Sequence, residues 1–400
     1  MKKLWDLEAL GIRPSEFVDT NSNIIENFHR TTRFENGQYV VYFPHKREDL
    51  KLPTNYRMCV AHFKQMLQRT PTWLLTECQK LLAKQEESGI IERAPSSPSG
   101  PIHYLPYKVL WRKEKPRAVY DASAKTKAGQ SLNDQLHSGP SLVTSLVGLL
   151  IGFRLRPIVL LADIENMFLM VGFDEMDRDL VQFLWLEDPS KPFHETKLIV
   201  FCFQQLPFGV ISSPYLAGMV VLDAFAKACH SANGMEAQWY DVASKSFYVD
   251  NFIISVDHLK EAVQLYKLTT STLDAAGMNL REWISNNKDF NRVVPTEKRL
   301  NDSSPISVLG ILWDQNTDTL SLKIEQNSDI PTKKSALAAY AQVYDPLGLL
   351  SPCTLDLKRL CWLLGYSWKQ PLSPTMAARF RKLLSERDEI KDDVALWRNR

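Results

Sequence analysis

Periodic apolar positions divide the chain into helices and strands. Residues 55–68 and 73–88 carry apolar side chains at helical spacing, and 259–276 form a further amphipathic segment, so each predicts a helix. Residues 158–161 are four consecutive bulky apolar residues that lead through Ala162 to Asp163. Such a run is typical of a buried central strand, here with a carboxylate at its end.

Three other segments have the pattern of strands. Residues 102–121 alternate and predict a β-ribbon with a charged turn. In residues 247–254 (Phe-Tyr-Val-Asp-Asn-Phe-Ile-Ile), β-branched and aromatic residues flank Asp250-Asn251, which predicts a tight hairpin with these two residues at its tip. Residues 308–314 predict a short strand with a turn on its far side. Taken alone, the 247–254 tip fits either a plain turn or a rigidly held metal ligand.

Composition places the chain among ordinary globular proteins. It has 400 residues, 44% hydrophobic and 24% charged, which is enough for two or three packed units. A net charge of +2 excludes a polycation, so nucleic-acid binding needs a local basic patch. The six cysteines show no zinc-site spacing and indicate a reducing compartment. No apolar run is long enough for a signal peptide or a membrane span, so we expect a cytoplasmic protein without membrane contact.

The strongest local basic excess lies in and after the predicted ribbon. Residues 108–127 contain seven basic residues against two acidic ones. The basic residues are Lys108, Arg112, Lys113, Lys115, Arg117, Lys125 and Lys127. This excess fits a solvated hairpin tip, or a phosphate clamp in which arginine offers a forked donor set.

Two strand-borne carboxylates are the candidate chemistry. Asp163 and Asp250 flank a Pro-Phe-Gly turn at 207–209, and the basic ribbon precedes both. Two-metal nucleotidyl transfer uses this inventory, because paired carboxylates hold two Mg²⁺ ions and cations neutralise a triphosphate. For Asp163, a capping role is the alternative.

The motifs, in this order, resemble the reverse transcriptases, and most closely the BEL/Pao group of long-terminal-repeat retrotransposons. The resemblance spans nearly the whole chain. The resembling segments are Trp5–Glu8, Tyr39–Phe43, Arg117–Lys125, Ala162–Phe168, Leu206–Pro214, Tyr248–Asn251, Leu280–Asn286, Leu309–Asp314 and Tyr344–Pro352.

This resemblance implies the catalytic roles. Asp163 and Asp250 would be the catalytic metal ligands for two Mg²⁺ ions, with Mn²⁺ as a possible substitute. Asn251 stands where the family usually has a second aspartate. Arg117 would contact the incoming triphosphate, and Lys108 is a second candidate because the ribbon spacing does not decide between its lysines.

The resemblance also implies a nucleotide pocket. Phe168 would stack under the sugar and exclude a 2′-hydroxyl, although a plain core aromatic is the alternative. Phe208 and Gly209 would line the pocket, and 308–314 would resemble the primer grip.

The implied fold is α+β, a right-hand polymerase. We expect a leader at 1–50, fingers at 51–155, and a palm at 156–325 with an antiparallel sheet backed by helices. A truncated helical thumb or connection is expected at 326–400. The palm sheet must bring the strand of Asp163 beside the 247–254 hairpin.

The implied function is that of an RNA-directed DNA polymerase in a retrotransposon polyprotein. Its partners would be an RNA template, an RNA–DNA or DNA primer duplex and deoxynucleoside triphosphates, within a cytoplasmic virus-like particle in the full element. Protease, RNase H and integrase segments are expected outside this chain. One charge at 4 Å is worth roughly 4 kcal/mol at an effective dielectric near 20, so Asn251 predicts weaker metal binding. The alternatives are an impaired remnant that only binds nucleic acid and an interaction protein that keeps only the fold.

Overall fold

The structure, a computed structural model, is a mixed α+β fold. It describes residues 14–47, 52–95, 97–98, 100–112, 114–300, 304–322, 331–362 and 367–394. The helices are α1 (Pro14–Thr31), α2 (Tyr56–Arg69), α3 (Thr72–Glu87), α4 (Leu132–Gln135), α5 (Leu146–Leu155), α6 (Glu175–Arg178), α7 (Ser213–Ser231), α8 (Met235–Ser244), α9 (Leu259–Ala275), α10 (Lys288–Val293), α11 (Lys333–Ala341), α12 (Ser351–Cys361) and α13 (Pro374–Val394).

The strands are mostly short. They are β1 (Arg33–Glu35), β2 (Gln38–Val41), β3 (Ile91–Arg93), β4 (Tyr107–Arg112), β5 (Lys115–Tyr120), β6 (Ile158–Ile164), β7 (Gly172–Phe173), β8 (Gln182–Leu186), β9 (Leu198–Phe203), β10 (Phe247–Tyr248), β11 (Asn251–Val256), β12 (Leu280–Ser285), β13 (Ile306–Val308), β14 (Ile311–Asp314) and β15 (Thr319–Ser321). The chain divides into two compact units, each built from several separate segments.

The first unit comprises Met1–Val143, Ile164–Ser244 and Leu268–Leu280. It holds the β1-β2-β7 and β3-β9-β8 sheets and the β4–β5 ribbon. The root of the ribbon is aromatic: the Tyr120 ring lies 5.3 Å from that of Phe183 and 5.0 Å from that of Phe203. This edge-on aromatic packing fixes the ribbon on the β3-β9-β8 sheet.

The second unit comprises Thr144–Asp163, Lys245–Lys267 and Arg281–Arg400. Its main sheet has the strand order β10-β11-β6-β12, with β11 antiparallel to both β10 and β6. β6 lies between β11 and β12, which explains its apolar run: Val159 and Leu160 are completely buried. Its core continues through Phe153 and Trp313, whose rings meet edge to face at 5.2 Å.

The helices predicted from periodicity are confirmed as α2, α3 and α9, and the strand leading to Asp163 is confirmed as β6. Two turns differ from the prediction. The 247–254 hairpin turns at Val249-Asp250, so Asn251 begins β11 instead of sharing the tip. Residues 308–314 are two strands with a turn at Leu309-Gly310 inside the segment. In both cases strand pairing sets the turn, and local turn propensity does not show it.

Helices make up the described C-terminal part of the second unit. α11, α12 and α13 bury a small cluster of their own around Leu357 and Phe380. The domain limits expected from sequence remain predictions, and the expected leader lies partly outside the described residues. Within the described ranges, no helix is long and apolar enough to cross a membrane.

Candidate active site

The 247–254 hairpin joins the edge of the main sheet of the second unit. Phe247 pairs with Phe252 and Tyr248 with Asn251, which leaves Val249 and Asp250 as the two turn residues. Phe252 is completely buried, and its ring lies 5.1 Å from that of Phe247, so side-chain packing supports this register. The tip therefore presents Asp250 from a short turn, while Asn251 is held by strand pairing.

The pairing of β11 with β6 brings the sequence-predicted catalytic residues together. Asn251 lies directly opposite Asp163. Directly opposed residues have Cβ atoms about 4.5–5.5 Å apart. The Asn251 Nδ2 atom donates a hydrogen bond to Asp250 Oδ1 at 2.7 Å. Two carboxylates and one amide therefore form a single cluster at one end of the sheet, and all three residues are partly buried.

The backbone at the tip is strained. Val249 has a φ of 59°, in the left-handed region that a β-branched residue rarely enters. Such a conformation costs of order 1–3 kcal/mol and persists where the surrounding structure imposes it. Here, the pairing of Phe247 with Phe252 below the turn imposes it.

The donor types of this cluster fit Mg²⁺ in kind. Carboxylate oxygens of Asp163 and Asp250 are the hard ligands that Mg²⁺ prefers. The cluster contains two carboxylates, because Asn251 is neutral. The Asn251 amide nitrogen donates a hydrogen bond to the Asp250 carboxylate. Among the described residues, no group of three or more His, Cys, Asp or Glu side chains could hold a metal ion. A metal at this cluster would thus be held by two carboxylate charges.

In the first unit, the ribbon register puts the two predicted phosphate contacts on one face. Lys108 pairs with Val119 and Leu110 with Arg117, so Lys108 and Arg117 are diagonal neighbours. Both side chains are exposed, whereas Tyr107 and Val109 are buried on the other face. Arg112 and Lys115 pair with each other farther along the exposed face. The exposed face of the ribbon therefore carries four basic side chains, interspersed with the exposed Leu110 and Val119.

The predicted nucleotide-pocket residues also meet within the first unit. The Phe168 and Phe208 rings lie 5.0 Å apart at an interplanar angle of 71°. Gly209 has a φ of 92°, and a Cβ there would lie 2.4 Å from the Tyr120 carbonyl oxygen. Glycine is therefore required for the loop to approach the end of β5. Since Phe208 is 44% exposed, the pair of rings is open on one side.

One residue that holds this loop, Asn133, was not predicted from the sequence. Asn133 Nδ2 donates to the Gly209 carbonyl oxygen at 3.1 Å, and Asn133 Oδ1 accepts from the Ile211 amide at 2.9 Å. Its two bonds clamp the loop from both sides. Asn133 belongs to a polar stretch that has the pattern of a linker, and no local signal distinguishes it.

Comparison with known proteins gives two findings. A family model described as "Pao retrotransposon-like RNaseH-like domain" matches residues 332–398. A solved structure, "Structure of the foamy viral protease-reverse transcriptase dRH in complex with ds DNA", resembles the fold with a TM-score of 0.54 and 13% identity. Residues 332–398 are therefore similar to a Pao retrotransposon domain, and the chain shares its fold with a protease-reverse transcriptase. No curated protein matches it.

The extent of each match limits what it shows. The structural match covers 94% of the chain and 60% of the solved structure, and at this identity it shows the fold. The family model gives an RNaseH-like description to the stretch for which the sequence predicts a thumb or connection. The described residues there form α11, α12 and α13 and contain no named strand. The role of this stretch therefore remains a prediction.

Proposed function

We propose that this chain is the RNA-directed DNA polymerase region of a retroelement polyprotein, with a right-hand arrangement of fingers, palm and thumb. The observation that carries the proposal is the cluster formed by Asp163, Asp250 and Asn251 at one end of an antiparallel sheet. These residues come from distant parts of the chain. They belong to motifs that follow one another along the sequence as they do in reverse transcriptases. The fold similarity to a protease-reverse transcriptase supports the same assignment.

In the proposed mechanism, the two carboxylates of the cluster would bind the metal ion. Asp163 and Asp250 would hold Mg²⁺, or Mn²⁺ in its place, which when bound activates the primer 3′-hydroxyl and stabilises the leaving pyrophosphate. Strand pairing keeps Asp163 in place, and the hydrogen bond from Asn251 orients the Asp250 carboxylate. An oriented carboxylate loses less entropy when it binds a cation.

Residues of the first unit would bind the nucleotide. Arg117 and Lys108 would donate hydrogen bonds to triphosphate oxygens, since both are exposed cations on one face of the ribbon. Phe168 and Phe208 would enclose the sugar, and the close approach of Gly209 to Tyr120 would fix Phe208. The substrates would be deoxynucleoside triphosphates on an RNA template and primer duplex. The solved neighbour is described in complex with double-stranded DNA, which supports nucleic acid as the partner class.

Primer extension tests the proposal. The wild-type chain and Asp163→Asn are compared on an RNA template with a DNA primer, in Mg²⁺ and in Mn²⁺. Extension by the wild type and not by the variant supports the polymerase assignment, because the substitution keeps shape and removes one metal-binding charge. Equal product from both proteins would overturn it.

A binding-only remnant is the second candidate, and Asn251 favours it. The amide supplies no charge, and its nitrogen donates to Asp250. This candidate predicts duplex binding that falls steeply with salt, through the basic ribbon, but no extension. The expected cytoplasmic location, in a virus-like particle, belongs to either candidate as a proposal.

A further inference from the structure

The turn between β13 and β14 is formed by Leu309 and Gly310. Val308 pairs with Ile311, so the turn has two residues, and their φ angles are 48° and 88°. Positive φ at both positions is the pattern of a type I′ hairpin turn, which fits the twist of the strands. This is the segment with the predicted primer-grip-like role.

Tyr344 packs directly on this turn. A Cβ built on Gly310 would lie 2.6 Å from Tyr344 Cε1 and 2.7 Å from Cδ1. These distances are far inside van der Waals contact, so the ring occupies the space that any other residue at position 310 would need. Gly310 is thus required twice, by its backbone angle and by the tyrosine ring.

The segment after Tyr344 is anchored by its own aspartate. The Asp345 carboxylate accepts hydrogen bonds from the Leu349 amide at 2.9 Å and the Leu350 amide at 2.6 Å. Leu350 is buried in the same core cluster as Val308 and Trp313. The two ends of the contact therefore share one core, which holds Tyr344 against the turn.

The Tyr344 ring belongs to the unit that also holds the 247–254 hairpin. Burial raises the pKa of the Tyr344 phenol. Tyr344 is nevertheless 43% exposed, so part of the ring is open to a ligand. One partly exposed aromatic side chain therefore packs on the Leu309-Gly310 turn, in the unit that also holds the hairpin of Asp250.

We propose that Tyr344 is a positioning residue that holds the Leu309-Gly310 turn, and through it the primer terminus, in register with Asp163 and Asp250. This inference rests on the proposed polymerase function. It gives the Tyr344–Pro352 motif a physical role: Asp345 fixes the segment, and the ring transmits its position to the turn. The hydroxyl group is not required for this role, because the contact to Gly310 is made by ring carbons.

The test uses the full chain and a duplex with 2-aminopurine at the primer 3′ terminus. The fluorescence of the bound duplex reports stacking of the terminus without any chemistry. Tyr344→Ala is expected to change this fluorescence at least twofold and, where extension is measurable, to slow it at least tenfold without raising the nucleotide KM. Tyr344→Phe is expected to behave like the wild type. Trp362→Ala, which removes an aromatic side chain that is 74% exposed, is the matched control and should change neither readout.

A double variant tests the contact itself. Gly310→Ala forces a methyl group into the ring, so its effect on fluorescence should fall by more than half in the Tyr344→Ala background. Thermal unfolding is measured for every variant to check that it is folded. If Tyr344→Ala does not fold, Tyr344→Phe still provides a test. Wild-type fluorescence in bound Tyr344→Ala, or a Tyr344→Phe defect equal to that of Tyr344→Ala, would overturn the positioning role and leave the polymerase assignment intact. Failure of the wild type to bind the duplex would overturn both.

Discussion

Asn251 lies directly opposite Asp163 in the antiparallel pairing of β11 with β6. The pairing continues to Val256 and Ile158, so six residue pairs fix the position of the asparagine. A slip of one residue would move every side chain of β11, including the completely buried Phe252, to the opposite face of the sheet. Asn251 is therefore a strand residue of the candidate site, and any group placed there faces the same two carboxylates.

Asn251→Asp is expected to raise primer extension at least tenfold. The new carboxylate would face Asp163 and adjoin Asp250, where one charge at 4 Å is worth roughly 4 kcal/mol at an effective dielectric near 20, before screening. Without metal, three clustered carboxylates repel each other, so the Tm should fall. Added Mg²⁺ should restore it.

The control for this prediction is Asn286→Asp. Asn286 hydrogen-bonds Pro157 and Val159 at the other end of β6, away from the cluster. Its substitution should lower the Tm without any recovery in Mg²⁺. A Tm of Asn251→Asp that ignores Mg²⁺ would contradict a metal site at this position.

Gly209→Ala is expected to destabilise the first unit more than Gly129→Ala. Both glycines have positive φ, 92° and 79°. A Cβ at 209 would lie 2.4 Å from the Tyr120 carbonyl oxygen, whereas at 129 it meets nothing within 4 Å. Backbone strain of about 1–2 kcal/mol is common to both, and overpacking adds about 1–3 kcal/mol at 209 alone. Urea unfolding measures the free energy of unfolding of both variants. An equal loss of stability in the two would contradict the close approach of the Gly209 loop to Tyr120.

The strands that hold Asp163 and Asp250 were predictable because their signals are local. The apolar run before Asp163 and the aromatic flanks of Asp250 each specify a buried strand without reference to the rest of the chain. Turn positions were less predictable, since Val249 at a φ of 59° has no propensity for that conformation and is placed there by strand pairing. Asn133 and Tyr344 were not assigned roles because their partners are distant in sequence. Only the folded chain brings them to Gly209 and Gly310.

Arg117→Gln is expected to raise the nucleotide KM by ten- to a hundredfold. Arg117 is an exposed cation on the basic face of the ribbon, and a hydrogen bond to a charged group is worth about 1.5–3 kcal/mol. Arg117→Lys should give an intermediate value, because a lysine cannot form the forked contact. Lys108→Gln should act in the same direction, since the register puts it on the same face.

Lys80→Gln is the matched control for the ribbon. Lys80 is an exposed cation of α3 that pairs with Glu77 at 2.7 Å, on a helix and not on the ribbon. Its substitution should leave the KM within twofold of the wild type. If the Arg117 and Lys80 variants shift the KM equally, the effect is one of net charge and the ribbon is not a specific phosphate site.

His103 is expected to make stability fall with acid. It is completely buried: its Nδ1 lies 3.2 Å from the Leu180 carbonyl oxygen and its Nε2 lies 3.1 Å from Asn55 Nδ2. The Asn55 amide is oriented by bonds to both backbone groups of Tyr104, so it presents an N–H and requires an unprotonated Nε2. Burial lowers the His103 pKa from 6.5 to about 4, although the bond to Leu180 acts against it.

The direction of this pH dependence follows from the linkage between proton binding and folding. The unfolded chain binds the His103 proton below pH 6.5 and the folded chain only near pH 4, so the contribution to stability is complete above pH 6.5 and is lost between pH 6.5 and 4. The loss is about 3 kcal/mol at 1.4 kcal/mol per pH unit. Urea unfolding from pH 7 to 4 should show the advantage of the wild type over His103→Gln disappearing across this window. His194→Gln, at a side chain that is 78% exposed, should parallel the wild type, and a constant gap between wild type and His103→Gln would contradict a neutral buried imidazole.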